Sequence, residues 1–250
     1  MFALGRSNGH CEPVLRRLIQ AGADLDLRGT DGRTACLMAL FDDNYAELRL
    51  LLELGADPDV ADQDGNTVLM WALRKRDSVR RRDSADLESI LDALRKSGAD
   101  AQGAVQVELL DAVEAGDLDA ARRCLSRGAD LNHRLGTTPL CVAARQGDPA
   151  MVQWLLDHGA DIDRRISEPT RPDDPKSEQD WNPLLWACAE GHLDVVRLLV
   201  DRGADLEVGF RAMGSVLDMA RSSTEDRYER SGDPAAVVDY LESIGVRSFL

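Results

Sequence analysis

Apolar residues recur along the chain in short bursts with helical spacing. Leu48-Arg-Leu-Leu-Leu-Glu-Leu54 and Val195-Val-Arg-Leu-Leu-Val-Asp201 are two of them, and each predicts one amphipathic helix. Each burst runs into the tripeptide Gly-Ala-Asp, which occurs six times, starting at Gly22, Gly55, Gly98, Gly128, Gly159 and Gly203. A glycine there fits a helix stop, because the residue after a helix often turns left-handed and only glycine does so cheaply. A second landmark opens most units: Thr34-Ala-Cys-Leu-Met-Ala39, Thr67-Val-Leu-Met-Trp-Ala72, Thr138-Pro-Leu-Cys-Val-Ala143, Asn182-Pro-Leu-Leu-Trp-Ala187 and Ser215-Val-Leu-Asp-Met-Ala220. Thr, Asn or Ser caps the first amides of a helix, and proline is tolerated in its first turn. From cap to glycine takes 21 residues in the regular copies, room for two short antiparallel helices. Gly116-Asp117, Gly147-Asp-Pro149, Gly191-His192 and Gly232-Asp-Pro234 mark the turns between them.

Thr-Pro-Leu-x-x-Ala, then Gly, then Val-x-x-Leu-Leu, then Gly-Ala-Asp resembles the ankyrin repeat, and the 33 residues from Gly22 to Gly55 match that family's period. The resemblance covers essentially the whole chain in about seven units. It implies an all-α ankyrin-repeat solenoid of paired antiparallel helices with β-hairpin-like finger loops. The first unit is clipped and is expected to act as a cap; the last closes at Ile244-Gly245. The family's histidine after Thr-Pro-Leu is replaced by Leu37, Met70, Cys141, Leu185 and Asp218, so apolar packing is expected in place of its hydrogen bonds.

Irregular units carry more information than regular ones. Twenty residues lie between Asp161 and Asn182 where a regular finger has nine, and Pro169, Pro172 and Pro175 exclude a helix there. The third unit is ten residues too long and contains Arg74-Lys-Arg-Asp-Ser-Val-Arg-Arg-Arg-Asp83, a basic island on an acidic body. The seventh is also overlong, at 221–233. The long third unit and a short fourth finger at 101–104 predict a bend near 100–106, with repeats 1–3 in a lobe at 1–100 and repeats 4–7 in a lobe at 101–250.

The family's binding surface is its concave face, lined by fingers and inner helices. The resemblance therefore selects Arg33, Gln63, Asp64 and Asn66 at finger tips and Phe41, Asp42, Arg74, Lys75, Glu114, Arg145, Gln146 and Glu190 at inner-helix ends. Asp180, Trp181 and Phe210 flank the later fingers. Phe41, Arg145, Trp181 and Phe210 are the preferred anchors, since interfaces favour aromatic residues and arginine. Trp71, Trp154 and Trp186 fall on expected core positions. Asp24, Asp57 and Asp130 recur at one repeat position and read as finger hydrogen-bond formers.

Charge and chemistry narrow the function. The net charge of −15 opposes a phosphate backbone and attracts a basic protein surface. Nucleic-acid binding through 74–82 rests on the basic island alone, where no aromatic residue is interleaved for base stacking. Five cysteines lie too far apart for a metal or disulfide framework and read as reduced thiols. The four histidines are scattered, and no catalytic or phosphate-binding motif occurs. No apolar run approaches the ~18 residues of a membrane span, and Met1–Arg6 carries no export signal. The expectation is a cytoplasmic protein-protein interaction module, not an enzyme, with no cofactor, no metal and no small-molecule substrate. It binds one partner through the concave face and the long 164–180 finger loop. Arginine outnumbers lysine 27 to three, a bias of GC-rich genomes. That bias and the acidic body motivate a second reading, a bacterial immunity or antitoxin protein that occludes a cognate toxin.

Overall fold

The computed structural model describes residues 11–30, 32–78, 84–99, 103–167, 180–207, 215–225 and 231–248. They form a lone helix, α1 (Cys11–Gln20), followed by six helical pairs: α2 (Ala35–Phe41) with α3 (Tyr45–Glu53), α4 (Val68–Ser78) with α5 (Ser84–Lys96), α6 (Ala104–Glu114) with α7 (Leu118–Ser126), α8 (Pro139–Gln146) with α9 (Pro149–Asp157), α10 (Pro183–Glu190) with α11 (Leu193–Asp201), and α12 (Val216–Glu225) with α13 (Pro234–Ser243). Contacts divide the chain into two compact units, Met1–Val107 and Glu108–Leu250. In the first, α4 lies against α2, and α5 and α1 against α3. In the second, α8, α10 and α12 form an inner row, and α9, α11 and α13 an outer row. No described helix is long and apolar enough to cross a membrane.

The landmark residues make these helices for the reasons their chemistry suggests. Thr34, Thr138 and Asn182 accept the amides of Leu37, Cys141 and Leu185 at 3.4, 3.3 and 2.9 Å. Asp117, Asp148 and Asp233 cap outer helices in the same way. The glycine of every Gly-Ala-Asp is left-handed. At the missing-histidine position, Leu37, Met70, Cys141 and Leu185 are buried, so apolar packing does replace the histidine there. Asp218 is different: its carboxylate accepts Ser215 N and Oγ at 2.7 and 2.8 Å and also the Ser248 hydroxyl.

Within each unit, a pair shields the apolar flank of its neighbour. Leu37, Leu40, Leu48, Leu51, Leu87, Ile90, Leu91 and Leu94 form the core of the first unit. Leu140, Val152, Leu155, Leu184, Leu185, Val196, Leu199, Val237 and Leu241 are buried in the second. A fully buried side chain of this kind contributes about 2 kcal/mol, so the stack is held by its helix interfaces. The first helix departs from this rule, with Val14 and Leu18 46% and 44% exposed. Glu47 is another departure: it is buried where Ile90, Met151, Val195 and Val237 stand in other pairs, and its Oε2 has no partner among the described residues.

Hydrogen bonds between repeats run along the fingers. In each regular finger the Gly-Ala-Asp carboxylate accepts the amide two residues on, as Asp24 does from Asp26, Asp57 from Asp59 and Asp130 from Asn132. The residue two places further reaches the next finger: Asp26 Oδ1 accepts Asp57 N at 2.8 Å, Asn132 Oδ1 accepts Asp161 N at 2.7 Å, and Asp163 Oδ1 accepts Asp205 N at 3.0 Å. The overlong finger begins on this scaffold. Ile166 is buried and pairs with Trp181 in a two-residue antiparallel ladder, β1 (Ile166–Ser167) with β2 (Asp180–Trp181).

Cys36, Cys141 and Cys188 are free and buried, and burial pushes each thiol up to about 12, with Asp26 and Asp57 adding to the effect at Cys36. At pH 8 only about one such thiol in ten thousand is ionised, and the thiolate is the reactive form. Ellman's reagent at pH 8 should leave all three unmodified until denaturant is added. Rapid modification of any of them in the native protein would contradict this packing.

Candidate functional site

Inner helices α2 and α4 build the first cluster. The Arg33 guanidinium lies 4.5 Å from the centre of the Phe41 ring, and Phe41 meets Trp71 edge-on, with centroids 5.1 Å apart. Trp71 Nε1 donates to Asp62 Oδ2 at 2.9 Å, which fixes the indole against the finger. Beside it, Lys75 Nζ donates to the Leu40 carbonyl at 2.9 Å, pairs with Asp43, and lies 6.0 Å from the Tyr45 ring centre. Burial alone would raise the Asp43 carboxyl. Hydrogen bonds from Lys75 and Tyr45, with the lysine charge, outweigh burial and hold it below the ordinary carboxylate range.

Inner helices α8 and α10 build the second. Trp181 stacks on Trp186 with centroids 4.3 Å apart, and the Arg145 guanidinium lies 5.4 Å from the Trp186 centre. The backbone under Arg145 is tied on both sides. A His192 ring nitrogen lies 2.9 Å from the Arg145 carbonyl, and Gln146 Nε2 donates to the Glu114 carbonyl at 2.8 Å. The two clusters share two positions. Trp71 and Trp186 each stand four residues after their capping residue, and Phe41 and Arg145 seven after theirs in the repeat before; Arg33 precedes the cap of the earlier repeat of its cluster, and Trp181 that of the later repeat.

These contacts sort the expected site residues. Arg33 and Phe41 come together in the first unit, and Arg145 and Trp181 in the second. Asp42, Gln63 and Asp64 are exposed, and Arg74, Glu114 and Glu190 are half-buried at or near inner-helix ends. Lys75 and Gln146 are engaged in binding the carbonyls of the preceding repeat. Asn66 is corrected: it is fully buried, and its amide donates to both Asp62 oxygens at 3.2 and 3.3 Å, so it shapes the finger from inside. Asp180 pairs with Ser167 through the backbone; its side chain and Phe210 lie outside the described residues. Trp154 is buried as expected, but Trp71 and Trp186 are half-buried and belong to the clusters. They were the residues sequence reasoning missed, although their shared place after the cap was visible. Residues 79–83 of the basic island and the middle of the long finger, 168–179, also lie outside the described residues. Among the described residues no group of His, Cys, Asp and Glu is arranged to hold a metal ion.

Comparison with known proteins agrees with the repeat. The family profile described as ankyrin repeats (3 copies) matches residues 1–100 and 109–209. Mouse protein phosphatase 1 regulatory subunit 27 is 32% identical over 102 residues, 40% of this chain and 59% of the relative. The putative ankyrin repeat protein YahD of Escherichia coli K12 is 31% identical over 101 residues, 40% of this chain and 45% of the relative. The aligned part thus spans about half the length of these curated relatives. Among solved structures, the ankyrin repeat domain of Bcl-3, a member of the IkappaB protein family, aligns over 92% of this chain and 91% of its own, with 25% identity and a TM-score of 0.40.

Proposed function

The chain belongs to the ankyrin-repeat family, and on that premise we propose that it binds a partner protein through its finger tips and inner helices, the family's concave face. The observation that carries this reading is the pair of arginine–aromatic clusters, Arg33–Phe41–Trp71 and Arg145–Trp186–Trp181, which share two repeat positions. Aromatic and arginine side chains dominate interface energetics, and stacking lowers the entropy cost of ordering them. Asp42, Gln63, Asp64 and Arg74 are the polar contacts proposed with the first cluster, and Glu114 and Glu190 those proposed with the second. The 164–180 segment, with Asp180, is proposed as a further contact. The charge of −15 favours a partner with a basic surface, through faster encounter more than tighter contact.

A second reading is stoichiometric inhibition, as by an immunity protein. Its support is the acidic body together with the name of the mouse relative, a regulatory subunit of a phosphatase. Site-specific photocrosslinking tests the first reading. Benzoylphenylalanine at positions 42, 64 and 190 should give discrete protein adducts in the host lysate. The same group at the outer-helix positions 88, 122 and 194 should not. The reverse pattern would move the interface to the outer helices and defeat the proposal. Loss of the captured partner's activity at one equivalent of this chain would favour the inhibitor.

A further inference from the structure

We infer that Arg145 is the recognition point for an acidic side chain of the partner, with an apolar neighbour of that residue resting on the Trp181–Trp186 stack. This rests on the protein-binding reading and names the chemistry at one of its clusters. Acidic residues outnumber basic ones 45 to 30 in this chain, so an arginine here has ample opportunity to pair. Lys75 pairs with Asp43, Arg127 with Glu108, and Arg202 with Asp157. Arg145 is exposed, and among the described residues its guanidinium makes no ion pair and no hydrogen bond. Its contact is with the Trp186 ring, 5.4 Å away.

A guanidinium over an aromatic ring keeps its N–H donors available, and their fork matches a carboxylate. The backbone beneath it is anchored on both sides. His192 holds the Arg145 carbonyl, and Gly147 packs so close to the His192 ring that an added Cβ would fall 2.4 Å from Nδ1. Gln146 is tied to Glu114 on the other side. An exposed cation held in place without a counterion, next to two stacked indoles, fits an acidic residue flanked by an apolar one. A basic segment would be repelled by Arg145 at close range, and a phosphate backbone by the whole chain. Long-range charge and local recognition thus select different features of one partner: a basic surface bearing an acidic anchor.

The test uses the intact chain and a phage-displayed random dodecapeptide library. Enriched peptides should carry Asp or Glu beside Leu or an aromatic residue. Converting that acid to its amide, or Arg145→Gln, should each weaken binding about tenfold. The two losses should not add, because each removes the same contact. Arg145→Lys should restore part of the affinity, and because residue 145 is exposed the variants should keep the parent's circular dichroism. Enriched peptides that lack an acidic residue, or that bind the Arg145→Gln variant as tightly as the parent, would overturn the inference. If such peptides still compete with photocrosslinking at positions 42, 64 and 190, the wider reading stands and only the role of Arg145 falls.

Discussion

Replacing Gly191 with alanine is expected to lower the free energy of unfolding by about 3 kcal/mol, while the same change at Gly159 costs only about 1 kcal/mol. Both glycines are left-handed, with φ of +79° and +95°, so both variants bear the conformational penalty. They differ in their surroundings. A Cβ on Gly159 would meet nothing within 4 Å. A Cβ on Gly191 would lie 2.5 Å from Pro234 N and 2.8 Å from the Asp233 carbonyl carbon, and both are backbone atoms that cannot swing aside. Retreat would also strain the bond from Asp233 N to the Gly191 carbonyl, 2.8 Å long, which docks the turn of the last pair onto the one before it. Urea titrations followed by far-ultraviolet circular dichroism measure both variants. Equal losses would mean that this turn contact yields freely.

The second large effect is expected at Leu51. Leu51→Ala should cost about 3 kcal/mol, within the range for leucine deletions in a closed core. Leu18→Ala should cost under about 1 kcal/mol. Both leucines stand four residues before a Gly-Ala-Asp glycine. Leu51 is completely buried between pairs, and Leu18 is 44% exposed on the first helix. Matching the repeat position leaves burial as the variable. Similar losses in the two variants would show that Leu18 is covered in solution.

Much of this architecture was legible because its signals are local. A cap bonds an amide three residues away and a glycine stop acts on its own helix, so the sequence carries both causes together. The errors arose where a neighbouring repeat decides the outcome. Trp71 and Trp186 have the spacing of core residues, but Phe41 and Arg145 from the preceding repeat hold them half-exposed. Lys75 and Gln146 look like free surface groups in the sequence, yet both bind carbonyls more than thirty residues away. Asn66 looks like a finger tip, but Asp62 turns its amide inward. Periodicity assigns a residue to a face of its own helix; it does not report which side chains arrive from the next one.

The link between fingers has a consequence for how this protein can vary. At positions 26 and 163 the oxygen that receives the next finger's amide belongs to a carboxylate, and at 132 to an amide side chain, with bonds of 2.8, 3.0 and 2.7 Å. The joint asks for an oxygen and is indifferent to its charge. Asn can therefore replace Asp at 26 and 163, whereas at 132 the amide nitrogen also donates to the Gly159 carbonyl at 3.1 Å, a bond that Asp could not make; mutation can redraw the electrostatic pattern of that edge at the first two positions while the masonry beneath stays the same.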